Sequence, residues 1–204
     1  EEWYLQNIAE DITYQKGALD DLITNYSFSL KVAKELLADF KDVKSFSKID
    51  RLNEKLNLLT FTDDFPNINN TYQELISSGK LSLIKDKELS TRIIDFYLFC
   101  EGNTIYVHSN NENIYYKEVY PVLNKLSQII FYDDALTEEE NNLTNIIVEP
   151  IDAFLKNELE KPENTLALLN AIKTQTMIQI AHLELAKETL INGKELVAII
   201  DNYL

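Results

Sequence analysis

A chain of 204 residues with 45% hydrophobic side chains is long enough to bury a core without disulfide or metal staples, and its single cysteine, Cys100, excludes an internal disulfide. A net charge of −15 argues against partners that present a phosphate backbone or an anionic membrane surface, so nucleic acid is excluded as a partner. Four glycines and four prolines are few, which predicts helices rather than turn-rich sheets.

The first predicted element is a helix from about Glu2 to Phe40. Tyr4, Leu5, Ile8, Ile12, Leu19, Leu22, Ile23, Tyr26, Leu30, Ala33, Leu36, Leu37 and Phe40 keep one apolar face along it. At 1.5 Å per residue it is roughly 55 Å long, and Gly17 interrupts it by only about 1 kcal/mol relative to Ala. A second helix is predicted from about Ser47 to Leu59, on Ile49, Leu52, Leu56 and Leu59. A loop around Phe65, Pro66 and Asn67 follows.

Thr71 to Tyr97 reads TYQELISSGKLSLIKDKELSTRIIDFY and forms a corner. Asn70 or Thr71 caps a short helix, and Gly79 supplies the left-handed residue that ends it. Leu81, Leu83 and Ile84 are apolar in a stretch too short for a helix and plug the end of the core. Asp86 is the N-cap of the next helix, whose stripe is Leu89, Ile93, Phe96 and Tyr97. The helical pattern runs on to about Tyr132, weakened at Gly102 and at Pro121, which removes one backbone bond and predicts a kink near Lys117. Thr137 with Glu140 is a capping box opening a short helix. Another short helix spans about Ile151 to Leu159. Pro162 fits the first position of a last long helix, to Tyr203, with Leu166, Leu169, Ile172, Ile180, Leu183, Leu190, Val197 and Ile200 on its buried side. The predicted fold is all-α: one domain, residues 1–204, an elongated up-down bundle with long first and last helices pairing antiparallel, and short extra helices between them.

At TYQELISSGKLSLIKDKEL, and more loosely at Lys161 to Leu169 (KPENTLALL), the chain resembles an uncharacterised bacterial family, a domain of unknown function. In that family a short basic N-terminus precedes one transmembrane helix and a helical extracytoplasmic domain. The resemblance implies an anchor ahead of Glu1 and a place at the bacterial inner membrane, on the periplasmic side. It implies no activity and no functional residues. Trp3 and Tyr4, at the very start, suit either a membrane interface or the covered end of a bundle. In this picture the terminal helices form a membrane-proximal stem, and the corner at residues 71–97 lies near the far end.

The residues that carry chemistry elsewhere are arranged here without it. His182 has Ala186 at i+4 instead of a second ligand, and His108 stands alone, so no zinc pair is predicted. Asp63/Asp64 and Asp133/Asp134 lack the spacing of a calcium loop. Cys100 follows Tyr97, Leu98 and Phe99 in an apolar run and reads as packing. No catalytic residue, metal or cofactor is assigned. One region carries a candidate ligand or partner surface: Tyr106, His108, Tyr115, Tyr116 and Tyr120, beside the helix defect expected at Pro121. The plainer reading is that these rings cover a wide bundle. The expected function is a non-catalytic, membrane-anchored module for interaction or sensing, with a protein partner or a second copy of itself. The alternative is a soluble helical-bundle enzyme or small-molecule carrier.

Overall fold

The computed structural model describes residues 1–130 and 137–204, and among these it is helical without strands. The helices are α1 (Glu2–Val43), α2 (Leu52–Leu58), α3 (Asn70–Ser77), α4 (Lys87–Asn110), α5 (Tyr120–Leu126), α6 (Glu138–Thr144), α7 (Glu149–Leu159) and α8 (Pro162–Tyr203). Short 3-10 turns span Phe46–Lys48 and Lys80–Leu83, and a π-helix, Asn111–Val119, joins α4 to α5. Residues 131 and 132 of the expected continuation and the Asp133/Asp134 pair lie outside the described residues.

The chain forms two compact units. The first comprises Glu1–Asn25, Asp63–Ser109 and Ala181–Leu204; the second comprises Tyr26–Thr62 and Asn110–Ile180. In the first, Leu5, Ile8 and Ile12 of α1 pack with Leu75 of α3, with Ile93, Phe96 and Cys100 of α4, and with Leu196 and Ile200 of α8. In the second, Ala33 and Leu36 pack with Leu56, Leu59, Tyr115, Leu123, Leu168 and Ile172.

α1 and α8 run antiparallel inside each unit. In the first, the Tyr203 hydroxyl donates to Glu1 Oε1 at 2.8 Å, and a Cβ on Gly193 would meet Ile12 Cγ2 at 3.1 Å. In the second, Gln179 Nε2 donates to Ser29 Oγ at 2.7 Å. The two chain ends therefore lie together, as the amphipathic stripes predict.

Several local signals act as read. Asp86 Oδ1 accepts from the Leu89 N–H at 2.9 Å, Gly79 takes φ 70°, and Pro162 opens α8. Thr137 and Glu140 form the reciprocal capping box, satisfying two orphan amides.

Other expectations are corrected, three of them by long-range partners. Neither Asn70 nor Thr71 caps α3; the Thr71 N–H instead reaches Asp11 Oδ2 of α1 at 3.0 Å. The corner does not lie away from the termini: the Lys85 N–H donates to Glu1 Oε1 and the Tyr4 hydroxyl to Glu74 Oε1, so Glu74 and Lys85 sit against the first turn of α1. The helix expected over 47–59 is broken at Arg51, which takes the left-handed conformation (φ 53°, ψ 32°), leaving a 3-10 turn and the short α2. α5 ends at Leu126, short of the expected Tyr132, because Asn53 and Asn57 of α2 capture the Gln128 and Ile130 amides at 2.7 and 2.6 Å. On α8, Leu166 and Ile180 face solvent, whereas Asn164, Gln175, Gln179, His182 and Thr189 are buried.

Candidate functional site

Pro121 has no N–H to give, and its ring crowds the carbonyl four residues back. The helix answers upstream by widening: through Asn111–Val119 it is a π-helix, and the Tyr120 N–H donates to the Tyr115 carbonyl, five residues back. The defect predicted near Lys117 is thus present, as a nine-residue π segment.

The five residues singled out beside it fall in both units. In the first, Tyr106 is exposed and sets its ring edge-on to His182, with centroids 6.3 Å apart. Exposed His108 holds Nδ1 3.8 Å from Asp64 Oδ1. In the second, Tyr115, Tyr116 and Tyr120 gather into one aromatic group, with centroids 4.9 to 6.3 Å apart. Tyr116 is exposed, but Tyr115 is buried and donates its hydroxyl to the Thr60 carbonyl at 2.7 Å. Burial raises the Tyr115 hydroxyl well above the ordinary phenol range, so it stays a donor.

That bond belongs to a larger arrangement. At the end of α2 the chain leaves the helix, and its carbonyls need partners that no helix of its own supplies. Ser29 Oγ donates to Leu58 O, Gln175 Nε2 to both Leu59 O and Phe61 O, and Tyr115 to Thr60 O. Four successive carbonyls are met by side chains of α1, α8 and the π-helix. Tyr115→Phe is expected to destabilise the protein by about 1–3 kcal/mol in urea unfolding, since it leaves a part-buried carbonyl unmet, while Tyr116→Phe changes stability by less than about 0.5 kcal/mol. Equal midpoints for the two variants would remove Tyr115 from the arrangement.

The second unit also contains a cleft of about 650 Å³ between α7 and the segment from Ser47 to Leu56. Its floor is apolar: Ile49, Leu52, Leu56, Leu126, Leu155 and Leu159. Its rim is charged, with Lys48, Arg51 and Lys156 against Asp50, Glu54 and Asp152. Arg51 Nε donates to Glu54 Oε2 at 2.9 Å, holding the Glu54 carboxyl below its ordinary range. Gln128 Nε2 donates to Asp152 Oδ1 at 2.5 Å. The volume falls within the range of about 300–1,000 Å³ usual for small-molecule sites.

Sequence reading alone did not find the cleft. Its floor residues look like ordinary helix stripe, and the one local irregularity, a left-handed Arg51, has no composition signal because arginine is not a residue that favours that conformation. Cys100, by contrast, sits where the apolar run placed it: buried, its thiol pushed up to about 11 by desolvation and accepting a weak bond from Gln15 Nε2 at 3.5 Å. Comparison with protein-family models, with curated proteins and with solved structures finds no match.

Proposed function

We propose that this chain is a non-catalytic helical module for interaction or sensing, held at a bacterial inner membrane by a segment ahead of Glu1 and standing on the periplasmic side. The observation that carries the reading is the end of the first unit where α1 starts and α8 finishes. Tyr203 and Glu1 are bonded there, and Trp3 (56% exposed), Tyr203 (42%) and Leu204 (51%) leave apolar surface open beside them. Indole and phenol rings suit a bilayer interface, where one side of the ring is apolar and the other wet. The resemblance read at residues 71–89 implies the same attachment, and Lys85 of that stretch lies at this end, its N–H on the Glu1 carboxylate. No described helix is long and apolar enough to cross a membrane, so the reading assigns the anchor to another segment.

Exposed Tyr106 on the first unit, and Tyr116 with half-buried Tyr120 on the second, are the aromatic surfaces this reading offers to a protein partner or a second copy. The alternative, a soluble helical enzyme or carrier, draws on the cleft beside α7.

Trp3 is the single tryptophan, so its emission reports this end alone. With the protein tethered through an N-terminal extension to vesicles, brominated acyl chains are expected to quench Trp3 and its emission to shift to the blue. Emission unchanged by the brominated lipid would overturn the membrane-proximal assignment.

A further inference from the structure

We infer that the cleft of the second unit binds an amphiphile with an extended apolar body and one anionic head group, a fatty carboxylate being the simplest member of the class. The apolar floor formed by Ile49, Leu52, Leu56, Leu126, Leu155 and Leu159 supplies the driving force, because a hydrocarbon chain laid on it leaves water. The rim selects the head. Two of its three acids are engaged by the protein itself, Glu54 with Arg51 and Asp152 with Gln128. Lys156 makes no ion pair or hydrogen bond among the described residues, which leaves an ammonium at the mouth of the cleft.

Charge at the rim sums to zero, three cations against three acids, whereas the chain as a whole carries −15. The cleft is therefore a place where an anion escapes the general repulsion of the surface. Arg51 adds an independent sign. A non-glycine residue in the left-handed region is strained by about 1–2 kcal/mol, and such strain collects where a ligand is clamped. Here it turns the chain between the 3-10 turn and α2, so that Ile49 and Leu52 both line the slot.

This binding gives the sensing reading its ligand, yet it stands on the cleft alone and is testable on the free domain. Dodecanoate, dodecanol and dodecylamine, each below its micelle concentration, are titrated calorimetrically into the protein. Saturable binding of one dodecanoate is expected, with dodecylamine weaker. Leu52→Glu, which puts a charge on the floor at a half-buried position, should lower dodecanoate affinity by roughly tenfold or more. Lys156→Glu, on the surface, should lower it roughly threefold and leave dodecanol unaffected. Circular dichroism of the unliganded variants checks their fold, and Lys156→Glu keeps the test decisive if Leu52→Glu does not fold. Absence of saturable binding, wild-type affinity in both variants, or dodecylamine binding as tightly as dodecanoate would each overturn the proposal. None of these outcomes bears on Trp3 at the vesicle surface, so the two readings fail separately.

Discussion

Lowering the pH from 7 to 4 is expected to remove about 3 kcal/mol of stability through His182 alone. Its side chain is fully buried on α8, and desolvation lowers its pKa from 6.5 to about 4. The sign follows from proton counting. Between those two values the unfolded chain binds a proton that the folded one refuses, so stability rises with pH across the window and is lost as pH falls through it. Above about 6.5 the effect is absent, and below about 4 it is complete. The carboxyls held low by hydrogen bonds, Glu1, Glu140 and Glu160 among them, begin to lose stability only below the ordinary carboxylate value of 4.5. The interval from 6.5 down to 4.5 therefore isolates the histidine. Urea midpoints measured across it should fall steadily for the wild type and stay level for His182→Gln, whatever the absolute stability of that variant. A slope that survives the substitution would assign the proton to another group.

Leu183→Ala should destabilise the protein by about 2–5 kcal/mol, the loss expected when a buried leucine leaves a cavity that neighbours fill only in part. Leu183 is 5% exposed on the inward side of α8, in the same turn as His182. The control is one turn away at an exposed position: Lys187 reaches only Glu184, at 3.0 Å. Exposed ion pairs of this kind contribute little, so Lys187→Ala should stay within about 0.5 kcal/mol. Indistinguishable melting temperatures for the two variants would mean that the inward face of α8 has been misassigned.

The two residues also mark where sequence reading succeeds and where it stops. Leu183 was legible as core because its apolar neighbours recur at helical spacing. His182, Gln175, Gln179 and Thr189 were not, since a polar side chain carries no mark of the partner that allows it to be buried. Gln175 goes inside because the Leu59 and Phe61 carbonyls, more than a hundred residues earlier, accept from its amide. The Tyr106 to Tyr120 region was located by Pro121, but which ring is buried depends on Thr60, and that is not a local fact. The lipid-class cleft was invisible for the same reason: its floor draws on α2, α5 and α7, and its curvature on a left-handed Arg51.

What the sequence determined by itself is whatever is decided within a turn or two of chain. The Asp86 cap, the Thr137 and Glu140 box, the left-handed Gly79, Pro162 at the head of α8 and the defect before Pro121 each involve atoms a few residues apart, so composition and spacing specify them. The two amphipathic stripes added the antiparallel pairing of α1 and α8. Tertiary structure decided where helices stop and which polar groups go inside. Asn53 and Asn57 end α5 by taking its outgoing amides, Asp11 replaces the expected cap of α3, and Glu1 draws Lys85 of the corner against the first turn of α1. An unpaired backbone group accepts any donor or acceptor that packing brings within reach, and only the folded chain brings residues sixty or more positions apart to that distance.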